Sequence, residues 1–360
     1  MAHCKRNEAS AARRGRSWRR FAILLVVMAV AAMALPLTGY MVTGLNVAQA
    51  QEASEDANPR SEYWRAVREG DAGYSAVTGP ETGVLIQNGG QNWRQYRNGP
   101  VVFYGGLLLI GMFSALLLYH LIIGGQKLEH ETGKLMLRWP GFDRVLHWFI
   151  AVLFIVLAIT GFSLLWGRYV LIPVFGAEGF AAYANIAKPV HDYLAVPFII
   201  AFSVGLLVWF KHNIPKSYDM QWILQGGGYL PNGKHPPAGF ANAGHKMLYW
   251  TLLLGGIALM VSGWFMLFPN MGFDRGQMQV ANIVHAVSSI IMMAFIFVHI
   301  YLATIGSPGA LQGMVTGYID EGYAKQHHPL WYDEVKAKAG AGQEVGGGAA
   351  PAAGPASPAP

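Results

Sequence analysis

His285 and His299 stand fourteen residues apart inside one hydrophobic stretch, Ala281 to Ile305. Fourteen residues is nearly four turns of α-helix, so both imidazoles project from almost one face, about 21 Å apart along the axis. That spacing lets a single membrane-crossing helix contribute one ligand to each of two stacked cofactors. An ionisable side chain inside a bilayer is costly, and two at this spacing call for a functional reason.

The rest of the chain must be able to hold them there. Of 360 residues, 53% are hydrophobic and only 13% charged, about half the charged share of an average soluble domain, which makes this an integral membrane protein. The net charge of +6 owes much to Lys5, Arg6, Arg13, Arg14, Arg16, Arg19 and Arg20, ahead of the apolar run Phe21–Leu37. A basic cluster in that position sets topology and is no nucleic-acid patch. With Ala48-Gln49-Ala50 it makes residues 1–50 a signal peptide or an uncleaved signal anchor. The one cysteine, Cys4, excludes an internal disulfide, an iron–sulfur cluster and a thioether-linked haem. Any redox group must hang on histidine.

Residues 51–100 are polar, with Trp64, Trp93 and Tyr96, and read as an exported segment too short for its own core. Five apolar spans follow: Val101–Ile123, Val145–Leu165, Val190–Phe210, Lys246–Phe268 and Ala281–Ile305. The first belongs to an additional helix at residues 101–125. The loops expected inside carry Lys127, Lys134, Arg138 and Arg144, then Lys211, Lys216 and Lys234; those outside carry Arg168 and Lys188, then Arg275. This bias puts the C-terminus in the cytoplasm. Residues 335–360, rich in Gly, Ala and Pro, are expected to be a disordered tail.

Topology then fixes depth. His147 opens an outgoing span and His299 lies late in an ingoing one, so both fall on the cytoplasmic side. His191 and His285 pair in the same way near the outer face. Two bis-histidine sites at two depths are what a transmembrane cytochrome carrying two haem b groups requires, with the iron of each held by two neutral imidazoles. Gly161, Gly205, Gly255, Gly256 and Gly263 leave room for a porphyrin or a neighbouring helix, and Arg144 lies where a haem propionate would need a cation. The competing reading is that each histidine only hydrogen-bonds to a neighbouring helix. His120 reads as polar packing or interfacial anchoring; His130, His212, His235, His327 and His328 read as solvated loop residues. Asn242-Ala243-Gly244-His245, just before the fourth span, suits a quinone headgroup, although Asn242 equally suits a helix N-cap.

The ordered motifs Asp143-Arg144-Val145-Leu146-His147-Trp148, Lys211-His212-Asn213-Ile214-Pro215 and Asn242-Ala243-Gly244-His245-Lys246-Met247 resemble the γ subunit, a cytochrome b, of respiratory formate dehydrogenase. So do Val284-His285-Ala286, Val298-His299-Ile300-Tyr301 and His327-His328-Pro329-Leu330-Trp331-Tyr332. The resemblance implies an all-α membrane protein with a four-helix dihaem bundle over residues 141–334, in a bacterial inner membrane. It places the haem ligands on His147, His191, His285 and His299, and quinone at Asn242 and Gly244, with His245 standing where glutamine is usual. Implied partners are an iron–sulfur β subunit and a molybdenum or tungsten α subunit that oxidises formate, besides quinone and membrane lipid. Other readings are the cytochrome b of a membrane hydrogenase or thiosulfate reductase, and a proton-coupled transporter built on histidine relays.

Overall fold

A computed structural model describes residues 61–69, 88–126, 128–230 and 235–340. The signal-like segment 1–50, much of the polar segment after it, and the tail beyond Gly340 lie outside the described residues. Helices α1 (Ser61–Glu69) and α2 (Asn88–Tyr96) precede α3 (Val102–Ile122), the additional span. Then come α4 (Gly141–Val170), α5 (Ile172–Trp209), α6 (Ser217–Leu224), α7 (Ala243–Leu267) and α8 (Arg275–Tyr301). Short helices α9 (Ala310–Thr316), α10 (Glu321–His327) and α11 (Pro329–Gly340) close the chain.

Five helical segments are long and apolar enough to cross a membrane: Gly89–Ile122, Gly141–Val170, Ile172–Asn213, Ala243–Leu267 and Arg275–Gly306. These are the five spans read from the sequence, and the protein is an all-α, multi-pass membrane protein. Several bounds need correction. The first span begins at Gly89, because α2 runs through a π-turn at Arg97–Val101 into α3. The stretch between the second and third spans, expected as a loop, is mostly helical. Leu171 alone separates α4 from α5, and the bend falls at Gly176 (φ 71°, ψ 172°), a conformation that favours glycine. Alanines 177, 181, 182, 184 and 187 then favour helix. Residues 335–340, assigned to the tail, are the last turns of α11.

The described parts of Met1–Gly125 join Leu146–Val208 and Leu248–Gly306 in one unit. Its core includes Val101, Val102, Leu109, Trp166, Ala286, Ile290, Met293 and Ala294. The second unit comprises Gln126–Val145, Trp209–Met247 and the described part of Ser307–Pro360. In it, β1 (Leu135–Leu137) pairs antiparallel with β2 (Tyr318–Asp320), Met136 opposite Ile319. Ile319, Tyr323, Ala324 and Trp331 make its core.

Three of the five histidines expected to be solvated are instead packed in this second unit. His328 is 2% exposed; its Nδ1 lies 2.9 Å from the Gly239 carbonyl and its Nε2 3.2 Å from Nη2 of Arg138. A guanidinium only donates, so Nε2 accepts and Nδ1–H donates to the carbonyl. His327 packs at a tilt 4.4 Å from the Tyr323 ring, and His212 4.5 Å from that of Phe240. Polar spacing along the sequence could not show this burial, because the aromatic partners arrive from distant segments. His235 is partly buried, 3.6 Å from Glu129, and His130 is exposed as expected.

Candidate functional site

The four intramembrane histidines come together in the first unit as two facing pairs. The ring centres of His191 (α5) and His285 (α8) are 6.2 Å apart, and those of His147 (α4) and His299 (α8) 6.1 Å. Two imidazoles that share one metal ion through bonds of about 2 Å leave their ring centres about 6 Å apart. Both pairs therefore match the span of an axially ligated iron. Among the described residues, no three His, Cys, Asp or Glu side chains gather to hold a bare metal ion.

The His191–His285 pair is held by a repeated device. Thr160 Oγ1 donates to the Val156 carbonyl (2.8 Å) and lies 2.8 Å from His191 Nδ1. The hydroxyl's one proton is committed to the carbonyl, so it accepts from Nδ1–H. Ser262 repeats the arrangement, donating to Ala258 O (2.6 Å) and standing 3.3 Å from His285 Nδ1, which also reaches Leu259 O at 3.1 Å. With Nδ1 protonated on both rings, each Nε2 keeps its lone pair for a metal, the usual arrangement behind a ligating histidine. The next residue in each case is glycine. A Cβ on Gly161 would stand 3.2 Å from His191 Cε1, and one on Gly263 3.0 Å from His285 Cε1. Thr160 and Ser262 were missed in the sequence; the signal was a hydroxyl–Gly dipeptide occurring in two different spans.

The His147–His299 pair is built differently. Nδ1 of His147 is buried with no hydrogen-bond partner among the described residues, and its ring meets Trp148 edge-on at 5.4 Å. Met292, fully buried, stands midway between His285 and His299 along α8. Level with it, Phe198 stacks on Phe202 at 5.1 Å, and a Cβ on Gly256 would run into the Phe202 ring. Met292 and the Phe198–Phe202 pair thus fill space between the two histidine levels.

The remaining candidates lie in the second unit. Asn242 Oδ1 accepts from the His245 backbone N–H at 2.9 Å, so the N-cap reading is realised at the start of α7. A Cβ on Gly244 would meet the Trp222 ring at 3.0 Å, and the His245 ring lies 6.0 Å from that of His328. Beside them Lys246 pairs with Asp219 at 2.8 Å, both largely buried. Arg144 Nη2 donates to the Val315 carbonyl at 2.6 Å, while its Nε is buried without a partner among the described residues.

A membrane-crossing helical bundle with paired histidines along a shared helix defines the class: a membrane-embedded cytochrome b. The family model of prokaryotic cytochrome b561 matches residues 138–317, half of the chain and all four histidines, and the chain belongs to that family. Its prosthetic group is accordingly haem b, and it works as a membrane electron-transfer subunit. The chain is also similar to the formate dehydrogenase cytochrome b556 subunit of Haemophilus influenzae, 29% identical over 58% of this chain and 87% of the relative. Two Escherichia coli proteins are similar in the same way. The nitrate-inducible formate dehydrogenase cytochrome b556(Fdn) subunit is 28% identical over 57% of this chain and 94% of its own length. The cytochrome b556(fdo) subunit is 26% identical over 56% and 93%.

Proposed function

We propose that the chain is the membrane-anchoring cytochrome b subunit of a formate dehydrogenase, conducting electrons from an iron–sulfur partner at the outer face to quinone. The observation that carries this reading is the pair of facing imidazole couples, 6.1 and 6.2 Å between ring centres, sharing α8. His191 and His285 would hold one haem b, His147 and His299 the other. When bound, the two haems supply one-electron iron couples toward the two faces of the membrane.

The chain's own residues orient and insulate. Thr160 and Ser262 fix the tautomers of His191 and His285, Gly161 and Gly263 let the rings seat, and the Phe198–Phe202 pair packs between the two levels. Asn242, Gly244 and His245 would receive the quinone headgroup, with protons drawn from the cytoplasm; the helix N-terminus opened by Asn242 favours the negative charge that develops on reduction. The catalytic molybdenum or tungsten α subunit and the iron–sulfur β subunit would perform the formate chemistry. Naming of the relatives as formate dehydrogenase subunits supports this assignment over a hydrogenase or thiosulfate reductase cytochrome.

The test is haem quantification by pyridine haemochrome on the assembled protein. Two haems per chain are expected, and His285→Ala should lose one while the other stays bound. No haem in the parent protein, or two still bound in the variant, overturns the reading.

A further inference from the structure

The additional span α3 lies outside the region matched by the cytochrome b561 family model, which begins at residue 138. It packs along α8, the one helix that carries a histidine of each pair. At 3.6 residues per turn, His285 and His299 are separated by about 40° around the α8 axis. Ala286, Ile290, Met293 and Ala294 lie about 80–180° round from His285, on the back of the helix. These are the α8 residues that share a buried cluster with Val101, Val102 and Leu109 of the first span.

The contact is close and is pinned at both ends. Gly105 is so near α8 that a Cβ there would stand 2.5 Å from Ile290 Cδ1 and 3.3 Å from the Trp166 ring. Trp166, on α4, donates its indole N–H to the Val102 carbonyl at 3.1 Å. Trp93 Nε1 donates to Asn282 Oδ1 (3.3 Å), three residues before His285. At the other end His120 Nδ1 lies 3.2 Å from Tyr301 Oη, two residues beyond His299. Fixed points before the first histidine, between the two, and after the second determine the rotation of α8 about its axis.

We infer that the additional span is a positioning brace, holding α8 at the azimuth that aims His285 and His299 at their irons together. Gly105 and His120 are its positioning residues. The inference rests on the dihaem reading above and adds to it the role of the N-terminal helix.

The test uses the full-length chain purified in its complex, comparing Gly105→Leu with Gly111→Leu. Gly111 is on the same helix, and a Cβ there meets nothing within 4 Å. A six-coordinate ferrous haem binds carbon monoxide only when a histidine lets go, so the CO-reactive fraction after dithionite reduction reads the aim of both ligands. Gly105→Leu should raise that fraction about tenfold at both haems, the scale of a lost ligand-orienting contact, with two haems still bound. The low-spin EPR signals of both haems should shift with it, and Gly111→Leu should change neither. If Gly105→Leu does not accumulate, His120→Phe is measured instead, with His120→Gln, which keeps a partner for Tyr301, restoring the parent value. Unchanged CO reactivity in a fully haem-loaded Gly105→Leu or His120→Phe protein overturns the brace. Absence of haem from the parent chain instead overturns the dihaem reading beneath it.

Discussion

Thr160 shows how the proposed haem ligand His191 depends on the atom behind it. Its hydroxyl proton is given to Val156 O, which leaves an oxygen that accepts from His191 Nδ1–H. Thr160→Val keeps the shape and removes that acceptor, leaving Nδ1–H without the hydroxyl inside the bilayer. Haem affinity at this pair should fall by about 10–100-fold, and Thr160→Ser should restore it, as measured by haem retention during dilution into apomyoglobin. Equal retention in the valine variant would mean the hydroxyl is mere packing. In the second unit, histidines tie stability to pH. Burial, and then the neighbouring His235, lowers His327 from the ordinary imidazole value of 6.5 to about 4; burial, and then the Arg138 cation, pushes His328 well below it. As pH drops below 6.5, the unfolded chain takes up protons that the folded one refuses. The stabilisation is therefore complete above 6.5 and is lost as pH falls toward 4. Protection factors in α10 and α11, with exchange corrected for the intrinsic pH dependence of amide exchange, should fall between pH 7 and pH 5, less so in His327→Gln. Identical protection at both pH values would contradict the burial seen here.

Helix ends carry two roles that have to be separated by experiment. Asn242 caps α7 through the His245 N–H, so Asn242→Ala should destabilise by about 1 kcal/mol whatever else the residue does. Asn242→Ser keeps the cap and removes the amide. If Asn242 also meets the quinone headgroup, the serine variant should melt like the parent yet show a raised KM for quinone; an unchanged KM would reduce the residue to a cap. Much at this scale was legible beforehand. The five spans and the depth pairing of His147, His191, His285 and His299 follow from apolar length and charge bias, because bilayer thickness constrains both. What stayed hidden came from contacts between helices. Thr160 and Ser262 reach histidines of neighbouring helices, and no periodicity within their own spans encodes that. His327 and His328 look like loop polarity until Tyr323 packs on both and Trp331 meets His328. The helical run after Gly176, expected as a loop, contains Pro189, which is tolerated inside a membrane helix.

Across the whole molecule the two histidine levels are separated by about 21 Å along α8, most of the hydrocarbon thickness. If electrons enter near one level and leave near the other, charge crosses the membrane on each turnover. That transfer works against an existing potential at about 2.3 kcal/mol per charge per 100 mV. Formate-dependent quinone reduction in sealed proteoliposomes should therefore build a potential and slow as it builds. Collapsing the potential with valinomycin and potassium should release the rate several-fold, since 1.4 kcal/mol is about tenfold in an equilibrium. The release should vanish in leaky vesicles, which separates it from any direct effect of the ionophore. A rate indifferent to valinomycin in tight vesicles would place electron entry and exit at the same face. The pairing of the histidines at two depths would then lose its functional meaning, however well the ring spacings suit iron.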